Sequence, residues 1–167
     1  DTNTPALITR GSEGELRYQS ASGRGVRYDV YSAQPRRPTF RSLPANSRDR
    51  HLQLPNALTQ RIRDLAAQWA HSAESEVAKI DSIDRMLRTR YQYDLDSPSG
   101  LAKQPLDHFL FESKRGHCEY FSTAMAVMLR TIGVPTRNVT GFVGGTYNKY
   151  GEFYAVRQGD AHSWVEA

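Results

Sequence analysis

The stretch Arg115-Gly116-His117-Cys118-Glu119-Tyr120-Phe121-Ser122-Thr123-Ala124-Met125 (RGHCEYFSTAM, residues 115–125) holds the single cysteine of a 167-residue chain. From there Phe121, Ala124, Met125, Met128 and Ile132 recur at helical spacing, and Gly133 and Pro135 are stop signals. The pattern predicts a buried helix that begins near Cys118 and ends at the glycine. One thiol forms no internal disulfide and no cysteine-based zinc site. It is either an inert packing group, the usual role of a free cysteine, or a reactive one. The first turn of a helix favours the second role, because unsatisfied N–H groups and a partial positive charge stabilise a thiolate. A cysteine there also offers its own backbone N–H to an oxyanion formed on the carbon it attacks. Gly116 permits close approach of the chain at the preceding turn. Placement by itself leaves both readings open.

Working outward, Leu58, Ile62, Leu65, Ala66 and Trp69 predict one helix. Val77, Ile80, Ile83 and Leu87 predict a second, capped by Ser72 or Ser75, with Glu74 and Glu76 suited to its N-terminus. Tyr91-Gln92-Tyr93 reads as extended, Asp94–Gln104 as a turn-rich loop, and Leu106–Phe111 as a short apolar element. Beyond Pro135, β-type segments are expected at Arg137–Val143, Glu152–Arg157 and from Ala161 to the end. Gly144, Gly145 and Asn148 supply the turn between the first two. Upstream, residues 14–32 alternate around Gly23-Arg24-Gly25 and read as a β-hairpin. Residues 33–56, with Pro35, Pro38, Pro44 and Pro55, read as a connecting loop. Hairpin, helices and then strands in that order indicate an α+β fold with an antiparallel sheet. The organisation expected is an N-terminal basic hairpin and proline-rich extension over 1–56 and a core over 57–167.

The formal charge of +4 has a single source: residues 1–50 carry nine arginines against five acidic side chains, and the remainder is balanced. A basic segment could face an anionic membrane, a cell-wall polymer or nucleic acid, or simply be solvated. The aromatic–basic interleaving of a nucleic-acid surface is absent. No apolar run reaches the length of a membrane span. The chain opens DTNTP and closes WVEA inside a strand-like pattern, so a piece of a longer protein is expected.

A nucleophilic thiol needs a base, and there are five histidines. His51 and His71 read as solvated, His108 as a capping or packing residue. His117 adjoins Cys118, but neighbouring side chains on a turn diverge. His162 lies in Asp160-Ala161-His162-Ser163-Trp164-Val165-Glu166, where His162 and Trp164 share one strand face. A strand docked on the buried helix could present that imidazole to the first turn. Spacing alone does not establish it.

The motifs Gly116-His117-Cys118-Glu119-Tyr120-Phe121, Leu129-Arg130, Gly133-Val134-Pro135, Arg137–Phe142 and Asp160–Glu166 together resemble the transglutaminase-like superfamily. The resemblance runs from about residue 57 to the end and is strongest from 105. Phe109-Leu110-Phe111 resembles the bacterial branch, in which multi-pass inner-membrane proteins carry a periplasmic catalytic domain of the protein-glutamine gamma-glutamyltransferase type. The resemblance implies a papain-like core with Cys118 as nucleophile and His162 as base. It puts the orienting acid on a strand after the histidine, beyond residue 167, and not at Asp160, whose expected role is turn formation. It implies glutamine- and lysine-containing protein or peptide substrates, no cofactor and no metal, no nucleic acid, a monomer, and a membrane-anchored parent. The basic first fifty residues would then lie near a membrane surface.

The implied chemistry is attack of the Cys118 thiolate on a glutamine γ-carboxamide. His162 would take the thiol proton and give it to departing ammonia. An amine or water would then resolve the thioester. The second oxyanion donor is open: Trp69 reads as core, and Tyr91 and Tyr93 are candidates. His117 and Glu119 either line the cleft or lie on the surface, and Trp164 is expected to support the histidine. Two other readings stand beside this one: a cysteine peptidase or amidase acting on protein or peptidoglycan peptides, and a non-catalytic module of the same fold.

Overall fold

The computed structural model describes residues 7–10, 16–19, 45–96 and 98–167. Two compact units divide at Arg41/Ser42. In the first, β1 (Leu7–Arg10) pairs antiparallel with β2 (Leu16–Gln19), Leu7 opposite Gln19. The sequence pattern finds β2 but assigns it a different partner. The expected turn at 23–25 and the second arm at 26–30 lie outside the described residues.

The second unit begins with α1 (Ala45–His51), inside what the prolines suggest is a loop. It carries no apolar stripe of its own. Tertiary bonds hold it: the Arg48 guanidinium donates to the Gly133 carbonyl at 3.2 Å, and the His51 carbonyl accepts from the Thr136 amide at 3.1 Å. Next, α2 (Gln60–Trp69) buries Ile62, Ala66 and Trp69. The Thr59 hydroxyl at its start does not cap it but donates to Asp107 Oδ2 at 2.6 Å. Asp107 is itself buried and takes Arg61 on both carboxylate oxygens. In α3 (Glu76–Arg90) the Ser75 hydroxyl accepts from the Ala78 amide, as the cap pattern predicts. Its buried stripe is Ile83 and Leu87; Val77, expected on that stripe, is two-thirds exposed.

The chain then makes a two-residue strand, β3 (Gln92–Tyr93), and reaches α4 (Pro105–His108), which runs into a π-helical turn at Phe109–Ser113. Lys114, with φ +52°, ends that turn, and its amide bonds back to the Phe109 carbonyl. A parallel bridge follows between β3 and β4 (Arg115–Gly116), with Tyr93 opposite Gly116. Phe109 is fully buried, with the rings of Tyr91, Tyr120 and Phe121 at centroid distances of 5.1, 5.5 and 5.3 Å. This aromatic group anchors the segment that leads into the cysteine.

α5 (Cys118–Thr131) begins at the thiol, as the periodicity predicts. It is buried on more than one stripe: Ser122, Ala124, Ala126, Val127, Met128 and Leu129 are all inside, the pattern of a central helix. Its end is a Schellman motif. Gly133, at φ +83°, donates to the Arg130 carbonyl, and buried Val134 donates to the Leu129 carbonyl. Thr136 Oγ1 then reaches back to the Ala126 carbonyl, and Arg130 donates to the Thr136 and Gln53 carbonyls. The next strand is thereby tied to the helix it follows.

That strand, β5 (Arg137–Phe142), does not continue into a meander. It pairs antiparallel with β8 (Ala161–Glu166), while β6 (Thr146–Asn148) and β7 (Phe153–Ala155) form a separate hairpin between them. The expected turn is displaced. Gly144 and Gly145 adopt positive φ where β5 leaves its sheet, and the hairpin turn comes after Asn148, whose Oδ1 accepts from the amides of Tyr150 and Gly151. The architecture is α+β: three helices packed around Phe109 and an antiparallel β5–β8 ribbon lying on α5.

Candidate active site

His117 is the N-cap of α5 in extended conformation (φ −88°, ψ −178°), and its carbonyl accepts the Tyr120 amide at 3.0 Å. Cys118 therefore stands at the first helical position, where the amides have no intrahelical acceptor. Its side chain is half-buried and free. Two backbone bonds fix the approach: the Gln92 amide donates to the Lys114 carbonyl at 2.8 Å, and the Asp94 amide to the Gly116 carbonyl at 2.9 Å. Gly116 is required here, because a Cβ would lie 2.9 Å from Tyr120 Cβ and 3.0 Å from a Phe109 ring atom. Asp94 pairs with Arg115 and accepts the Asp96 amide at 2.9 Å. That amide bond first, and the Arg115 guanidinium second, hold its carboxyl below the usual carboxylate range.

Cys118 and His162 line the same cleft, of about 640 Å³. Its walls are α3 through Asp81, Asp84 and Arg88, α5 through Phe121, Ser122 and Met125, and β8 through residues 162–165. Consecutive residues of β8 line it, so the strand presents an edge as well as a face. His162 lies opposite Gly141 in the β5–β8 ladder, and the Trp164 ring packs over Gly141, where a Cβ would meet it at 2.9 Å. Trp164 thus shares the histidine's strand face and stands in the cleft beside it.

The other four histidines are elsewhere. His51 Nδ1 bonds to the Ser47 carbonyl and His71 is exposed. His108 Nδ1 bonds to the Ser99 hydroxyl, and His117 sets its ring edge-on to Tyr120. Neither His117 nor Glu119 lines the cleft; Glu119 faces a separate hollow with Pro105 and Thr123. Asp160 closes a turn, its carboxylate accepting the Arg157 amide at 2.7 Å. Of the candidate oxyanion donors, Trp69 is buried in the core, and both tyrosines line the cleft. The Tyr91 hydroxyl is spent on the Leu110 carbonyl at 2.7 Å, and burial pushes its pKa up to about 12. Tyr93 is half exposed, its ring on Phe121.

Two cleft residues escape the sequence reading, Ser122 and Ser163. Both are buried, and their hydroxyls meet at 2.6 Å. The signal was positional: Ser122 is one helical turn from Cys118, and Ser163 is next to His162.

The sequence model of the Transglutaminase-like superfamily matches residues 63–167. A protein-glutamine gamma-glutamyltransferase of Pseudomonas aeruginosa is 36% identical over 126 residues, 75% of this chain and 19% of its own length. The uncharacterized protein YebA of Bacillus subtilis is 37% identical over 126 residues, 71% of this chain and 17% of its own. The chain therefore spans about a fifth of these relatives. The crystal structure of the periplasmic domain of TgpA from Pseudomonas aeruginosa, bound to ethylmercury, superimposes with a TM-score of 0.69 at 34% identity. That match covers 75% of this chain and 45% of the other. Family model, relatives and fold converge on the segment that carries Cys118 and His162: the chain belongs to the transglutaminase-like superfamily.

Proposed function

We propose that this chain is the core of an acyltransferase that moves a glutamine γ-carboxamide carbonyl onto an amine, or onto water, through a thioester on Cys118. One observation carries the proposal: of five histidines, His162 alone lines the cleft that holds the only thiol. His162 accepts the thiol proton as the sulfur attacks the carboxamide carbon. It then protonates the leaving nitrogen, and ammonia departs. An amine attacks the thioester, His162 takes its proton, and an isopeptide bond forms as the sulfur leaves; water in the same place gives a glutamate side chain. The Cys118 amide, at the positive end of α5, is one donor to the oxyanion in both half-reactions. The superfamily resemblance puts the orienting acid beyond residue 167. The similarity to the periplasmic domain of TgpA supports a periplasmic site of action for the parent, and the resemblance to the bacterial branch adds an inner-membrane anchor. No helix among the described residues is long and apolar enough to cross a membrane.

The test is incorporation of a labelled primary amine into a glutamine-containing protein by the parent protein, with Cys118→Ala and His162→Ala as controls. Label at glutamine that both variants abolish supports acyl transfer. Turnover of glutamine to glutamate without label, whatever the amine concentration, makes the protein a hydrolase. Turnover of neither kind refutes the proposal.

A further inference from the structure

The Ser122–Ser163 contact connects the helix of the thiol to the strand of the imidazole. Ser163 Oγ donates to Asn138 Oδ1 at 2.9 Å, since a carbonyl oxygen only accepts. The Ser122 hydroxyl meets Ser163 at 2.6 Å and also lies 3.3 Å from the Glu119 carbonyl, one turn back in its own helix. Asn138 Nδ2 completes the path by donating to Thr123 Oγ1 at 3.3 Å. The path runs from α5 to β8 to β5 and back to the neighbouring residue of α5. Nothing in the thiol–imidazole chemistry uses these four side chains, and apolar residues would fill the same interface. A polar pair buried between an apolar helix and a strand favours one register, because sliding the strand parts the two hydroxyls and sets a buried serine against apolar neighbours.

We propose that Ser122 and Ser163 are positioning residues that set His162 against Cys118, acting through the placement of β8 on the first turns of α5. This inference rests on reading Cys118 and His162 as nucleophile and base. Ser163 is one residue from the imidazole and Ser122 one turn from the thiol, so sliding this contact moves the two reacting side chains apart by a similar amount. Displacements of about 1 Å cost up to about a hundredfold in reactions that depend on alignment.

The experiment reads the alkylation rate of Cys118 by iodoacetamide at neutral pH in a cycle of variants, each folded by circular dichroism and assayed well below its melting temperature. His162→Ala is expected to slow alkylation. Ser163→Ala is expected to slow it by about tenfold when His162 is present and by less than twofold in the His162→Ala background, because Ser163 acts through His162. Ser122→Ala is the parallel variant from the helix side and serves if Ser163→Ala does not fold. An equal slowing in both backgrounds would show a general structural effect and overturn the proposal, as would no slowing in either. If His162→Ala itself changes nothing, the thiol–imidazole pairing fails, and the positioning role fails with it; that outcome is distinct from the other two.

Discussion

Gly116→Ala tests whether the segment leading to the cysteine is held as tightly as its contacts indicate. The added methyl would sit 2.9 Å from Tyr120 Cβ and 3.0 Å from both a Phe109 and a Tyr120 ring atom, well inside van der Waals contact. A ring can tilt, but Tyr120 Cβ is fixed to the first turn of α5, and Phe109 is fully buried among three other rings. Relief therefore requires β4 and the helix start to separate. Overpacking of this kind costs about 1–3 kcal/mol, and the fixed Cβ places it near 2. For a chain of this size the melting temperature should fall by about 6 °C. The matching control is Gly159→Ala, where a Cβ meets nothing within 4 Å; it should stay within about 0.5 kcal/mol of the parent. Thermal melts of the three proteins by circular dichroism, with Cys118 alkylation rates alongside, complete the assay. If Gly116→Ala melts with Gly159→Ala and its thiol reacts at the parent rate, the packing argument for the segment is refuted.

Other perturbations have equally definite outcomes. Phe109→Ala removes the ring at the centre of the aromatic group and should cost about 3–5 kcal/mol, measured by denaturant unfolding. Tyr91 titrates near 12 when folded and near 10 when unfolded, so the unfolded state releases its proton first. The parent should lose stability progressively as pH rises from 10 to 12, and Tyr91→Phe should lose less over that window in pH-dependent melts. Asp94 has the opposite sign. Its folded pKa lies below the unfolded value, so its contribution is present above that value and fades as pH falls through the folded one. Asp94→Asn should flatten the acid limb of an unfolding titration below about pH 4.

What was legible in the sequence was local. The start of α5 follows from a glycine and from apolar residues at helical spacing. Its end follows from Gly133 and Pro135, and the structure realises both within one turn. The Ser75 cap was legible for the same reason. What failed depends on contacts distant in sequence. α1 has no amphipathic pattern and is held by Gly133 and Thr136, more than eighty residues away. The partner of β5 is β8 and not the nearer strand: β8 is held on α5 through buried Ser163, while β6 and β7 are largely exposed. Val77 satisfies the helical period yet faces solvent, since the first turn of α3 meets its neighbours through the polar Glu76 and Lys79 and its buried residues begin at Ile83. Cys118 and His162 were legible as candidates from residue type and motif, and their meeting in one cleft was not. Ser122 and Ser163 were illegible because a serine on an apolar helix and one in a strand carry no sign that they meet.

Cross-linking with 1,3-dibromoacetone, followed by peptide mass spectrometry, tests the thiol–imidazole pairing most directly. The only cysteine should react first and hold the second electrophilic carbon within the cleft. A three-carbon bridge joining the Cys118 peptide to the His162 peptide is the expected product. Cys118 alkylated with its second arm hydrolysed, or bridged to any other side chain while His162 stays unmodified, contradicts the pairing.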